Sequence, residues 1–544
     1  MKKATRHVDA KDAKGEKTQR TQNMKDMKYV STRGHKGAIA SAAAIIAGLT
    51  PDRGLYAPET IPALPCQSKD LTRPPAKEDA EARKAPAPPC QAKDLTCPYQ
   101  EAAKKILGVF LTDFTEEELR VCAERAYDEK FDTREIAPVV KTENAYFLEL
   151  WHGSTAAFKD MALSALPWLL KTAVKKEGEE KKIAILTATS GDTGKAALAG
   201  FADVPGTEIF AFYPKDGVSL VQERQMITQA GSNVHVYGIR GNFDEAQTAV
   251  KNVFNDARFA EELAANGVRL SSANSINIGR LVPQVVYYVN AYAKLLADGE
   301  IADGEKINIC VPTGNFGNIL SAWYAKQMGL PVARLICASN ENNILADFIN
   351  TGLYDTRREF ILTTSPSMDI LVSSNLERLL WHLSGCDSER VRSLMAALDR
   401  DGFYDAGEAV KKSLECFHGG FAEMPVSHAA LAGLWQEEKY LIDTHTAVAY
   451  AVYLDYRAKT GDAAKTVIAS TASPYKFAGV VANAIGARPG KDEFETMENL
   501  EKATALPIPG SLLDVGVKPI LHNNIIGKAD VMAAVSSALP GVTK

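Results

Sequence analysis

From residue 181 onward the chain alternates short apolar runs with longer amphipathic ones. The runs 183–187, 208–213, 233–239, 306–311, 334–338 and 466–470 have the length and the β-branched or aromatic character of strands. Between them, 218–229, 243–255, 280–297 and 319–328 have the length and apolar spacing of helices. Strands apolar on both faces and separated by helices predict parallel sheets covered by helices, an α/β chain. Ligands of such sheets gather at the carboxyl ends of the strands. The loops that follow the strands are therefore where chemistry is to be sought.

Three such loops can receive an anion. The first holds Thr187, Ala188, Thr189, Ser190, Gly191, Asp192, Thr193 and Gly194 and runs straight into a helix. Its glycines admit close backbone approach, and its hydroxyls and free helix N–H groups suit a small carboxylate. Asp192 would repel that guest unless it turns away to cap the loop. The second holds Gly314, Asn315, Phe316, Gly317 and Asn318 after a strand. It lacks the G-K-[ST] ending of a nucleotide loop, so a single phosphate monoester fits it better. The third, 271–280, carries Ser275, Asn277 and Arg280, and a guanidinium matches phosphate in a forked pair. An ordinary helix-capping turn and a structural ion pair of Arg280 are the plain alternatives.

A lysine stands apart from these loops. The polar turn Trp151-His152-Gly153-Ser154-Thr155 leads into Ala156-Ala157-Phe158-Lys159-Asp160-Met161-Ala162-Leu163. Apolar neighbours disfavour a charged amine, and a neutral amine can form a Schiff base with an aldehyde. Lys159 is thus expected to hold pyridoxal phosphate, although a solvated lysine in a first helical turn is common. His152 is expected to hold the turn by a hydrogen bond, and His445 to cap a helix. Phe158 either stacks near the cofactor or belongs to the core.

Composition limits the other classes. The chain has 544 residues, 46% of them hydrophobic and 24% charged, with a net charge of −5. That is ample for a large core and gives no overall basic footprint for nucleic acid. No apolar run is long enough for a transmembrane helix. Eight cysteines show no C-x-x-C pair and no zinc-ligand spacing, so no metal site is expected. With no secretory signal, a cytoplasmic location is expected. Residues 1–26, basic and poor in large apolar side chains, are expected to be a disordered tail. The stretch 64–99 is rich in proline and nearly repeats itself from Cys66 and from Cys90, which suggests a surface insertion.

At this point a resemblance is plain. The run 149–170 is similar to the lysine segment of the threonine synthase family. Residues 187–194, 271–280 and 314–318 resemble its other signatures. Ser31-Thr32-Arg33-Gly34 resembles its N-terminal signature, and Ser470-Thr471-Ala472-Ser473-Pro474-Tyr475-Lys476-Phe477 its C-terminal one. The similarity covers about 27–62 and 100–515 in the family's order, and the longer form of the enzyme is the better match. One departure is Ser154, where the family signature has proline.

The resemblance implies a pyridoxal-phosphate enzyme of fold type II, similar to the tryptophan synthase β subunit, plus a small N-terminal domain. It implies an N-terminal domain over 27–135, a large cofactor domain over 136–180 and 300–515, a smaller α/β domain over 181–299, and a C-terminal segment over 516–544. Lys159 would carry the cofactor beside Phe158. Gly314, Asn315, Phe316, Gly317 and Asn318 would hold its phosphate, and Thr471 would face its ring nitrogen. Ser190, Gly191, Asp192, Thr193 and Gly194 would take the substrate carboxylate, and Ser275, Asn277 and Arg280 its phosphate. The implied reaction turns O-phospho-L-homoserine and water into L-threonine and phosphate, in a monomer or homodimer. Alternatives are another fold type II lyase, dehydratase or phospholyase, or a non-catalytic relative.

Overall fold

A computed structural model describes residues 26–65, 97–189 and 191–539. The expectations for the tail, for Cys66 and Cys90, and for Ser190 fall outside the described residues. In chain order the strands are β1 (Tyr29–Ser31), β2 (Tyr56–Pro58), β3 (Val139–Lys141), β4 (Tyr146–Glu149), β5 (Lys182–Ala188), β6 (Thr207–Pro214), β7 (Val234–Arg240) and β8 (Val268–Ser272). Then come β9 (Ile307–Pro312), β10 (Val332–Ser339), β11 (Leu353–Asp355), β12 (Phe403–Asp405), β13 (Phe417–Phe421), β14 (Thr466–Ser470) and β15 (Asn524–Gly527).

Two sheets organise the molecule. The larger has the order β13-β10-β9-β14-β4-β3 and is parallel apart from the β3–β4 edge. The smaller has the order β15-β7-β6-β5-β8 and is parallel throughout. Every residue of β6 and β9 is buried, as a sheet covered on both faces requires. The six strand-like runs of the sequence lie in these strands, apart from Asn233 and Lys306, which fall one residue before β7 and β9. One contribution is less local. β15, from the residues after 515, pairs with β7, so the chain returns at its end to the smaller sheet.

Helices form where local chemistry starts them. Thr115 and Glu118 close a reciprocal capping box at the start of Glu116–Ala126, as their spacing suggests. Ser219 and Gln222 do the same for Leu220–Ile227, so that helix begins later than the apolar spacing from 218 implies. The helix Ile278–Ala297 is buried along most of its length and packs on the helix Gly317–Gln327, which follows β9. It thereby ties the smaller sheet to the larger one. No helix among the described residues is long and apolar enough to cross a membrane.

Beside apolar packing in the main core, a small set of polar contacts holds the N-terminal residues. Thr32 donates to Glu377 Oε1 at 2.5 Å, and Arg33 Nη2 pairs with Glu377 Oε2 at 2.8 Å. The neighbouring Arg378 is fully buried. It donates to Tyr56 O at 2.8 Å, to Ile276 O at 2.6 Å and to the Asn375 side-chain oxygen. One guanidinium thus joins the β1–β2 pair, the third anion loop and the chain beside the Asn315 loop. Replacing it leaves three buried acceptors without a donor. Arg378→Leu is expected to lower stability by about 2–4 kcal/mol. A urea denaturation midpoint that stays at the wild-type value would refute this role.

Candidate active site

The lysine turn is built by Asp160. Its carboxylate accepts from Thr155 N at 2.8 Å and from Thr155 Oγ1 at 2.7 Å, closing the loop in front of the helix Lys159–Leu163. Gly153 has to be glycine, since a Cβ there would lie 2.6 Å from Asp160 Cβ. These bonds give the turn the rigidity that proline would supply at Ser154. Phe158 N donates to Thr471 O at 2.8 Å, and an isolated bridge joins Ala157 to Ala472. The lysine segment is therefore strapped to the end of β14.

Lys159 lies deep, with 12% of its side chain exposed. Its Nζ reaches Ser367 Oγ at 3.1 Å and Asp192 Oδ2 at 3.5 Å. Burial pushes its proton affinity down, Asp192 opposes this, and Lys476 and Arg280 add to it, for a net lowering. The Phe158 ring lies 5.4 Å from the amine and packs at the edge of the core.

Asp192 does not cap its own loop. The helix Asp192–Phe201 starts without a side-chain cap, and Asp192 turns inward to Lys476 Nζ at 2.6 Å and Gln222 Nε2 at 3.0 Å. Burial would raise its carboxyl, but Lys476 and Lys159 outweigh burial and hold it well below the usual carboxylate range. The repulsion expected of Asp192 is cancelled by Lys476, not by rotation away from the loop. The turn itself is shaped by Thr189 Oγ1, which accepts from Gly191 N at 2.9 Å and from Gly194 N at 2.7 Å. Thr193 sits half-buried in the first turn of that helix.

The other two loops meet this one. Thr187 donates to Asn274 Oδ1 at 2.7 Å, and Ser275 Oγ lies 3.5 Å from Ser374 Oγ, which donates to Asn315 Oδ1 at 3.3 Å. Asn277 is not free for a ligand. Its amide donates to Ile45 O and Ser272 O at 3.0 and 3.1 Å, and its oxygen caps Gly279 N at 2.9 Å. Both amide hydrogens are spent inside the fold, which removes the direct phosphate contact expected of it. Arg280 is the reverse case. It is 3% exposed, donates to Ala273 O at 2.9 Å, and its Nε has no partner. Among the described residues no carboxylate pairs with it, so the structural ion pair is absent. Burial pushes it down to about 10.

A phosphorylated ring fits these residues. Phe316, at φ 64°, starts the helix Gly317–Gln327 with no side-chain cap, leaving first-turn N–H groups for an anion. Asn318 Nδ2 is buried and unpartnered, while Asn318 Oδ1 accepts from Tyr287 at 2.7 Å and Tyr288 at 2.5 Å. Gly314 has no room for a side chain, because a Cβ would lie 2.4 Å from Ser367 O. At Gly317 a Cβ would meet the Asn375 amide at 3.5 Å, an ordinary contact. Thr471 is buried beside the lysine strap, its N–H donating to Thr446 Oγ1 at 3.3 Å.

Lys476, Gln222 and Ser367 are the residues that sequence reasoning missed, and it gave His445 a different role. Lys476 lay inside a recognised signature, and its apolar flanks were the available signal. His445 is no helix cap. Asp443 caps the helix Thr444–Thr460, while His445 is buried against Ser367.

This arrangement defines a class: a buried lysine and anion-ready loops at the carboxyl ends of parallel strands, as in enzymes that carry an aldehyde cofactor. The family model of pyridoxal-phosphate dependent enzymes matches residues 133–411. Models of the threonine synthase N terminus and C-terminal region match 28–74 and 446–507. Threonine synthase of Pseudomonas aeruginosa is 34% identical over 88% of this chain and 95% of its own length. The crystal structure of threonine synthase with bound pyridoxal phosphate from Brucella melitensis superposes with a TM-score of 0.79 at 34% identity, covering 95% of this chain and all of that one. Threonine synthase-like 1 of Homo sapiens is 38% identical over 81% of this chain, and the chain spans 57% of that protein's length. The chain belongs to the threonine synthase family, and its cofactor is pyridoxal phosphate.

His152 brackets the lysine turn from the other side. Its Nδ1 meets Asp132 at 2.5 Å and its Nε2 meets Glu149 at 2.8 Å. Burial lowers its proton affinity, but the two carboxylates raise it further, to about 9. The folded value lies above the unfolded one near 6.5, so this stabilisation is fully present below pH ~6.5 and fades as pH rises through ~9. His152→Gln is expected to flatten the dependence of Tm on pH between those limits. Parallel Tm–pH curves for the two proteins would refute it.

Proposed function

We propose that this protein converts O-phospho-L-homoserine and water to L-threonine and phosphate. The observation that carries the reading is Arg280, a buried cation without a carboxylate, set in the same site as a buried lysine amine. Membership of the threonine synthase family supports it. Bound pyridoxal phosphate supplies an aldehyde for the substrate amine and a ring that withdraws electrons from Cα.

The chain's residues have the following parts in this reading. Gly314, Asn315, Phe316, Gly317 and Asn318 would hold the cofactor phosphate, and Thr471 would serve the ring nitrogen. A hydroxyl there leaves the nitrogen less protonated than a carboxylate would. The loop of Ser190, Gly191, Thr193 and Gly194 takes the substrate carboxylate, with Asp192 neutralised by Lys476. Arg280, with Ser275 near it, takes the substrate phosphate and holds it in line to leave from Cγ. Lys159, once free, removes the proton at Cα and returns protons along the carbon chain.

Lys159→Ala is expected to abolish turnover and the cofactor band that borohydride bleaches. Retained activity would refute the assignment. Arg280→Ala is expected to lower kcat/KM for the phosphorylated substrate by about 100-fold or more while the cofactor still binds. Unchanged kinetics would place the phosphate elsewhere. Product analysis separates the nearest rival: 2-oxobutanoate and phosphate without threonine would mark a phospholyase on the same site.

A further inference from the structure

Two acceptors hold the Lys159 amine, and only Asp192 comes from a recognised loop. The other, Ser367, lies in a turn, Pro366–Met368, to which nothing above gives a role. We propose that Ser367 is a further residue of this site: its hydroxyl steadies the Lys159 amine whenever that amine carries a proton, and a buried Asp443–His445 pair holds the hydroxyl in place. The proposal rests on the reading of Lys159 as the reacting amine.

The geometry runs outward from the amine. Lys159 Nζ donates to Ser367 Oγ at 3.1 Å. Ser367 N donates to His445 Nε2 at 3.1 Å, so that nitrogen is an acceptor. The imidazole proton is then on Nδ1, which donates to Asp443 Oδ2 at 2.8 Å. Asp443 is fixed in turn by His445 N at 2.9 Å and Thr446 N at 3.1 Å. The imidazole is 3% exposed and meets the Phe477 ring edge-on at 4.9 Å. His445 and Asp443 touch no reacting atom. They are positioning residues that act through the Ser367 backbone.

The far side of the turn is braced as firmly. Asn340 Nδ2 donates to Asp369 Oδ1 at 2.7 Å and to Ser365 Oγ at 3.0 Å, and Thr363 N donates to Asp369 Oδ2 at 3.0 Å. Ser367 O sits against Gly314 so closely that no side chain fits there. One turn therefore touches the lysine with its hydroxyl and the cofactor-phosphate loop with its carbonyl. The charged groups that face Lys159 are Asp192, Lys476 and Arg280, each from a different element. Ser367 adds a dipole and no charge. Removing its hydroxyl changes one hydrogen bond and leaves the charge count untouched.

The test is competitive acetylation of the cofactor-free full-length protein with acetic anhydride across pH, read by mass spectrometry of the Lys159 peptide. Only the neutral amine reacts. Loss of an acceptor disfavours the ammonium, so Ser367→Ala is expected to lower the labelling midpoint by about 0.5–1 pH unit, roughly three- to ten-fold more label below the midpoint. His445→Leu, which has no acceptor, is expected to follow Ser367→Ala, and His445→Gln, which keeps one, to stay with the wild type. An unchanged midpoint in Ser367→Ala overturns the proposal, whether or not the histidine variants fold. A shift in Ser367→Ala with none in His445→Leu overturns the positioning half. Borohydride reduction of the cofactor-loaded wild type distinguishes the two readings. An adduct on Lys159 with an unchanged Ser367→Ala midpoint sinks this inference alone, whereas an adduct on another lysine sinks the functional reading beneath it.

Discussion

The buried pair of Asp192 and Lys476 is the contact on which the rest of the site depends. Lys476 is fully buried and also donates to Thr155 O at 2.9 Å. Its ammonium therefore joins the end of β14, the lysine turn and the loop after β5. A buried charge is costly unless it is paired and hydrogen-bonded, and here both members are. Removing either partner would leave the other alone in a dry interior, and three segments would lose their shared anchor. The pair also works at a distance of one residue: Lys476 helps push the proton off Lys159, while Asp192 keeps the amine directed into the site.

A second contact system does for the N-terminal residues what that pair does for the centre. Glu377 takes Thr32 and Arg33, and Arg378 takes Tyr56 O and Ile276 O. Between those two residues and the Asn315 loop stands Asn375, which donates to Asn315 O at 2.9 Å. The N-terminal signature is thus not a separate module resting on the surface. It reaches the Asn315 loop through a single turn of chain, the same stretch whose earlier part carries Ser367. Packing of β1 and β2 and the shape of the Asn315 loop are mechanically linked.

Periodicity and turn chemistry made most of the fold legible. The strand runs were readable because strands covered on both faces are uniformly apolar, and the helix at Phe243–Asn255 because its amphipathic spacing is regular. The places of the loops at strand ends were readable because glycine and hydroxyl residues mark the turn from strand to helix. What was hidden was partnership across long sequence separations. Nothing local pairs Asp192 with Lys476, Ser367 with Lys159, or His445 with Ser367. Asn277 shows the converse: a residue in a signature looks like a ligand until the structure shows its amide spent on Ile45 O and Ser272 O. β15 was hidden for the same reason, since a four-residue edge strand has too little pattern of its own.

The charges around the amine add one more step. Lys159, Lys476 and Arg280 face one another with Asp192 as the near carboxylate, and burial raises Asp160 toward its neutral form. Such a pocket tolerates its cations in two ways. Lys159 has its proton affinity lowered, and Arg280 keeps a guanidinium nitrogen without a partner. An incoming dianion would relieve the second strain and, by cancelling positive charge near the lysine, weaken the first. Binding of a phosphorylated molecule would therefore raise the proton affinity of the amine. In the proposed reading, phosphate recognition and base strength would be two consequences of one buried excess of positive charge.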